Sequence, residues 1–195
     1  MDMNRIMGVI TLKAPVYREI AEDANATTPA GIIVAVVALI AGFSQGLYGN
    51  QLNFVSAIIA AIATVVFGLI AWFVGSWVLS FVAGWFGGKT NLQEMLRVTG
   101  FVEVFGIVAV LYLLAALLPV LGCLAGLVLL IISILRIIGY VIGVREAAEF
   151  TTGKAIITAI IAVVIVAIIY AIGATILAAI GIGGAALMGG LSTPQ

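Results

Sequence analysis

The stretch LNFVSAIIAAIATVVFGLIAWFVGSWVLSFVAGW, Leu52 to Trp85, contains no charged residue. As an α-helix rising about 1.5 Å per residue it would run to roughly 50 Å, well past a hydrocarbon core about 30 Å thick. Such a helix has to tilt, bend or leave the membrane early, and Gly75 and Gly84 are the expected points of bending. Trp85 with Phe86 has the character of an interfacial anchor. Trp72 and Trp77 lie deeper and either pack inside a bundle or mark the bend.

The rest of the chain shares this bias. Of 195 residues, 65% are hydrophobic and 8% charged, against about 45–50% and 25% in a soluble domain. Eight Lys/Arg and eight Asp/Glu cannot cover the surface of a soluble monomer, so the missing surface is lipid. The net charge is zero without a basic cluster, and nucleic acid is not an expected partner. Histidine is absent and Cys123 is the one cysteine. That excludes a Ser-His-Asp triad, a His-ligated or multi-cysteine metal site and an intrachain disulfide, and no cofactor is expected.

Four further apolar runs flank Leu52–Trp85. The first extends from Pro29 to about Leu47, with Thr28 as the expected N-cap and Pro29 at the first helical position. The third covers about Val98 to Leu118 and the fourth about Leu121 to Gly143, joined through Pro119-Val120-Leu121-Gly122 as an antiparallel hairpin. The fifth runs from about Lys154 to Ile180, and a Gly/Ala-rich tail follows. The expected fold class is therefore all-α: a polytopic membrane bundle of five transmembrane helices (residues 29–180), preceded by a short amphipathic N-terminal helix within residues 1–28 and followed by a flexible tail, residues 181–195.

With five spans, the segments that carry Arg5, Lys13 and Arg18, then Lys89 and Arg97, then Arg145 and Lys154 all fall on one side. Arg136 lies near the same end of the fourth span. By the positive-inside rule the N-terminus is cytoplasmic and the C-terminus is not. The first 28 residues lack the continuous apolar run of a cleavable signal peptide. Within them, Pro15–Asp23 forms an amphipathic helix with Val16, Tyr17, Ile20 and Ala21 on one side and Arg18, Glu19, Glu22 and Asp23 on the other. That apolar face either packs over the ends of the spans or meets the membrane surface or a partner.

Between the second and third spans, Thr90 and Gln93 have capping-box spacing. Gly87-Gly88-Lys89-Thr90 contains Gly-Lys-Thr but lacks the earlier glycine and the preceding strand of a phosphate loop.

Charge within a span costs roughly 2.5–3.5 kcal/mol at mid-membrane, so such residues are the first place to look for function. Glu103 and Arg136 qualify. Counted from the charged side they lie about five and seven residues deep, roughly 8–10 Å at 1.5 Å per residue. An ion pair or water-bridged contact between them is expected; the alternative is a polar vestibule in which Glu103 serves as a proton or cation site. Gly122/Gly126, Gly139/Gly143 and Ala71/Gly75 are small-xxx-small pairs that let helices approach closely, more in keeping with packing inside the chain than with a dimer motif.

The segments Tyr17–Asp23 (YREIAED), Leu96–Phe101 (LRVTGF), Ile138–Ala147 (IGYVIGVREA) and Thr151–Ala155 (TTGKA), in this order and spacing, resemble the prokaryotic branch of the Ypt-interacting protein (Yip) family over roughly residues 4–180. The resemblance implies a five-span integral protein of a prokaryotic cell membrane with a cytosolic N-terminus and no catalytic residues to carry over. Eukaryotic relatives act in vesicle traffic and engage Rab-type GTPases. This chain lacks their Asp-Leu-Tyr-Gly-Pro element and has Glu103 and Phe105 where prokaryotic relatives commonly place a proline, so the resemblance does not extend to GTPase binding. The function expected is a non-enzymatic scaffold or accessory subunit whose partners are the lipid bilayer and another membrane protein or a second copy. The alternative is a small transporter or channel at Glu103/Arg136.

Overall fold

The structure, a computed structural model, describes residues 3–49, 53–113, 118 and 122–179. The order is α1 (Met3–Ile10), α2 (Ala14–Glu22), a 3₁₀ turn (Ala24–Ala26), α3 (Thr27–Gly49), α4 (Phe54–Trp85), α5 (Leu92–Val102) running on as a 3₁₀ segment (Glu103–Val110), α6 (Gly122–Ala147) and α7 (Thr152–Ala179). No strand occurs among the described residues. Five helices there are long and apolar enough to cross a membrane: Ala24–Leu47, Phe54–Trp85, Leu92–Leu113, Gly122–Ala147 and Thr152–Ile169. The third is the most enclosed and the second the least.

Several ends differ from the sequence expectation. The first span starts before Thr28, because the Asp23 side chain accepts from the Asn25 N–H and caps the 3₁₀ turn that leads into α3. Pro29 is tolerated because it lies in the first turn of α3, where N–H groups have no partner inside the helix. The capping box ahead of the third span is Asn91/Glu94, one residue beyond Thr90/Gln93: Asn91 Oδ1 accepts from the Glu94 N–H at 3.0 Å and the Glu94 carboxylate accepts from the Asn91 N–H at 3.2 Å. A carboxylate in the first turn also complements the helix dipole, which Gln93 cannot do. The N-terminal segment holds two helices rather than one. Among its described residues α4 passes through Gly75 and Gly84 without a break. The link 119–121 and the tail 180–195 lie outside the described residues.

Glycines set the closest helix contacts. A Cβ on Gly42 would lie 2.8 Å from the Ala60 carbonyl oxygen, and one on Gly46 2.8 Å from the Ala57 Cα. These two residues, one helical turn apart on α3, bring the α4 backbone against it. Gly143 on α6 does the same against Val98, 2.4 Å from a Cβ position, so the Gly139/Gly143 pair packs inside the chain. By contrast Gly75, Gly122 and Gly126 have no described atom within 4 Å of a Cβ position. On α4, Trp72 turns inward and Nε1 donates to Leu96 O at 3.1 Å and Thr99 Oγ1 at 3.0 Å. Trp77, Phe81 and Trp85 face outward as a ladder of ring contacts.

The charged segments converge at one end of the bundle. Glu149, between α6 and α7, accepts from Arg18 of α2 at 2.7 Å and lies 3.6 Å from Lys89 of the α4–α5 link. The Lys89 N–H donates to Ala148 O, and Lys154 Nζ donates to Phe86 O at 3.1 Å. Arg5 pairs with Glu19 and Asp23. Three chain segments well separated in sequence therefore share one rim.

Candidate functional site

Glu103 and Arg136 meet. Arg136 Nη2 donates to Glu103 Oε1 at 2.6 Å and also to Oε2, while the Tyr140 hydroxyl donates to Glu103 Oε1. The guanidinium carbon lies 5.8 Å from the centre of the Tyr140 ring. Tyr140 stands one helical turn beyond Arg136, so α6 presents both to one carboxylate. The Glu103 side chain is 15% exposed and the Arg136 side chain 41%.

The helices that carry the pair extend past the sequence expectation on the charged side. The third span opens earlier and the fourth closes later than expected: Glu103 is the twelfth residue of the span opening at Leu92, and Arg136 the twelfth from the close of the span ending at Ala147. The two are level, about 16 Å of helix from those ends. The extension is possible because charges near the helix ends are answered locally, Glu94 by the Asn91 cap and Arg145 by Glu146. On α6, exposed large apolar side chains continue to Ile138, so Arg136 sits inside the apolar band near its charged edge.

The backbone changes hydrogen-bonding pattern at this carboxylate. α5 gives way to a 3₁₀ segment at Glu103 that runs to Val110, whereas 3₁₀ runs longer than three or four residues are uncommon. At three residues per turn, Glu103, Gly106 and Ala109 form one row, and all three line a cavity of about 460 Å³. Two of the row are small, and room remains beside the carboxylate. Other walls come from Val37 and Ala41 of α3, Thr64 and Trp72 of α4, and Ile132 and Arg136 of α6.

The apolar face of α2 lies against the chain itself. Tyr17, Ile20 and Ala21 are buried and Val16 is half-buried; α2 packs on α5 and α6. The Tyr17 hydroxyl donates to Val9 O at 3.0 Å, which fastens α1 to α2. Burial raises the phenol above its ordinary pKa.

Arg97 has a role that sequence reading missed. It is buried, and donates to Ala21 O at 2.7 Å, Thr27 Oγ1 at 2.9 Å and Gln93 Oε1 at 3.2 Å. A cation placed on a carbonyl near the C-terminus of α2 is favoured by unsatisfied carbonyl groups there. Among the described residues no group of three or more His, Cys, Asp or Glu is placed to hold a metal.

A family model described as the Yip1 domain matches residues 7–175. The chain belongs to the Yip1 family. The match takes in both partners of the Glu103–Arg136 pair, the Tyr17 face of α2 and all five apolar helices. It accords with an integral membrane protein of the Yip1 family whose buried polar cluster lies within the matched region. No curated protein and no solved structure matches the chain.

Proposed function

We propose that this Yip1-family chain is a non-catalytic scaffold or accessory subunit, which works by holding another membrane protein, a second copy or lipid against its apolar helices. The observation that carries the reading is Gly122/Gly126 on α6. They are one turn apart, far along the helix from the charged rim, with no described atom within 4 Å of either Cβ position. Small residues of this spacing let a second helix come within van der Waals reach, and this chain makes no described use of them. The rim built by Arg18, Lys89 and Glu149 supports an N-terminus on the cytoplasmic side of a prokaryotic cell membrane, because every Lys and Arg of the chain lies towards that end. Residues 1–28 then serve as a cytoplasmic cover over a five-span domain. The apolar face of α2 is an internal seam in this reading.

Gentle detergent extraction with quantitative mass spectrometry tests it. A stoichiometric partner or self-association is expected, and Gly126→Leu reduces it while leaving thermal stability unchanged. Homogeneous monomer in both proteins contradicts the reading. The cavity beside Glu103 favours a second reading, a small transporter or channel. Ion flux in liposomes that Glu103→Gln abolishes would establish it in place of the first.

A further inference from the structure

The α1 helix has two apolar faces, and the chain covers one of them. Gly8 and Val9 are buried, Ile6 packs on the core, and Arg5 turns to Glu19 and Asp23 at the end of α2. Met3, Met7 and Ile10 fall within one narrow stripe at i, i+4 and i+7 and stay 68%, 52% and 41% exposed. The fold fixes this stripe in place. The Leu12 N–H donates to Val9 O at 3.0 Å and the Lys13 N–H to Gly8 O at 2.9 Å, a Schellman pattern that ends α1 and turns the chain into α2. Leu12 takes a φ of 55°, which a leucine keeps only where its surroundings enforce it, and it packs on the core.

Height along the bundle decides what meets the stripe. The Tyr17 hydroxyl, which donates to Val9 O, lies 3.2 Å from a Cβ position on Gly139. Val9 is therefore close to level with Gly139, eight residues before the close of α6 at Ala147 and about 12 Å of helix inside it. The outward-facing Ile134, Ile137 and Ile138 of the apolar band reach this level, and α1 also touches the Glu103–Val110 segment. So α1 lies on the flank of the bundle at the edge of the apolar band, and a stripe facing away from the chain there meets the boundary between head groups and acyl chains. Lys13 gives the stripe a charged end. It is exposed, and among the described residues every other Lys and Arg has a carboxylate or carbonyl partner while Lys13 has none. A lysine in this position lays its stem along apolar surface and lifts its ammonium to the phosphate level. An anionic phospholipid offers that ammonium a net counter-charge, which a zwitterionic head group does not.

We propose that α1 is a lipid-binding element lying in the leaflet on the charged side, with Met3, Met7 and Ile10 among the acyl chains and Lys13 on the phosphate of an anionic phospholipid. This goes beyond the scaffold reading and does not depend on a protein partner being found.

Cys123 is the chain's one cysteine and is exposed, so Cys123→Ala/Met7→Cys carries a nitroxide label on the stripe alone and Cys123→Ala/Glu22→Cys carries one on the charged rim. In vesicles of equal phosphatidylcholine and phosphatidylglycerol, the Met7 label on the full-length protein is expected to collide often with oxygen, which concentrates among acyl chains, and rarely with a water-soluble nickel chelate. The Glu22 label is expected to show the reverse. A Met7 label as open to the chelate as the Glu22 label puts α1 in water and overturns the lipid contact; one shielded from both reagents is covered by a second copy of the chain and overturns it equally. For the head group, the full-length protein in detergent is titrated with phosphatidylglycerol and bound lipid is read by native mass spectrometry. Lys13→Gln is expected to raise the half-saturating mole fraction of the tightest site about fivefold, the scale of one basic residue at an anionic surface, and Lys13→Arg to stay close to the parent. Equal retention by the parent and Lys13→Gln overturns the phosphate contact.

Discussion

Arg136 reaches Glu103 across the third and fourth spans, with Nη2 donating to Oε1 at 2.6 Å, and the two residues stand level in antiparallel helices. Each removes the other's cost. An unpaired charge among apolar helices is expensive, and removal of one member of a buried pair typically costs about 3–5 kcal/mol. The partial exposure of Arg136 reduces that figure, since its free guanidinium can reach toward the interface. Glu103→Gln is expected to destabilise the bundle by about 2–3 kcal/mol, measured by unfolding in mixed micelles. Tyr140→Phe, which removes one donor to the same carboxylate, is expected to cost about 1 kcal/mol.

Small residues divide into those the fold needs and those it does not. Gly42→Ala puts a methyl group 2.8 Å from the Ala60 carbonyl oxygen and is expected to cost about 1–3 kcal/mol through overpacking. Gly75→Ala meets nothing described within 4 Å and is expected to be neutral or stabilising by up to about 1 kcal/mol from helix propensity. Thermal unfolding of the two proteins side by side checks both.

The rim responds to acid. The hydrogen bond from Arg5, and then that from the Asn25 N–H, hold the Asp23 carboxyl below its ordinary range; Arg18, and then Lys89, do the same for Glu149. A carboxylate with a depressed folded pKa contributes stability above its unfolded pKa, and that contribution is lost as pH falls through the folded value. Amide protection factors in α1 and α2, taken relative to the intrinsic exchange rate at each pH, are expected to stay constant from neutral pH down to about pH 5 and to fall below about pH 4. Arg18→Gln is expected to remove the Glu149 part of this acid response and leave the Asp23 part, read from the same exchange profile.

Arg97 joins the N-terminal segment to the bundle through Ala21 O and Thr27 Oγ1. Arg97→Met keeps an apolar stem but leaves these acceptors without their donor. Hydrogen bonds to charged groups are worth about 1.5–3 kcal/mol, and a loss of that order is expected. Limited proteolysis should then cut first between α2 and α3, near Asp23 and Asn25, while the spans stay intact.

The spans were legible because each is a long apolar run, broken by charge only at Glu103 and Arg136 within the expected bounds, and the shared rim because every other Lys and Arg falls in the N-terminal segment or at the links on that side. Cap positions were less so: Thr90/Gln93 and Asn91/Glu94 overlap by one residue, and only the carboxylate decides between them. The pairing of Glu103 with Arg136 could be expected from equal depth, but its partner Tyr140 could not, since an apolar helix offers no pattern to show which tyrosine faces a carboxylate. Nothing in an all-apolar run distinguishes a 3₁₀ segment from an α-helix, so the Glu103–Gly106–Ala109 row and the cavity beside it came only with the structure. Arg97 reads as one more charge near the rim until its carbonyl partner, 76 residues away in sequence, is in place.

The most direct measurement on the central relationship is a double-mutant cycle in bilayers with Glu103→Gln, Arg136→Met and the pair combined, read as unfolding free energy and paired with the charge swap Glu103→Arg/Arg136→Glu. Contacting charges are expected to show a coupling of about 1.5 kcal/mol or more, with the swap more stable than either reversal alone. Effects that add within about 0.5 kcal/mol, with a swap no better than its single reversals, would contradict direct pairing of Glu103 and Arg136 in the membrane.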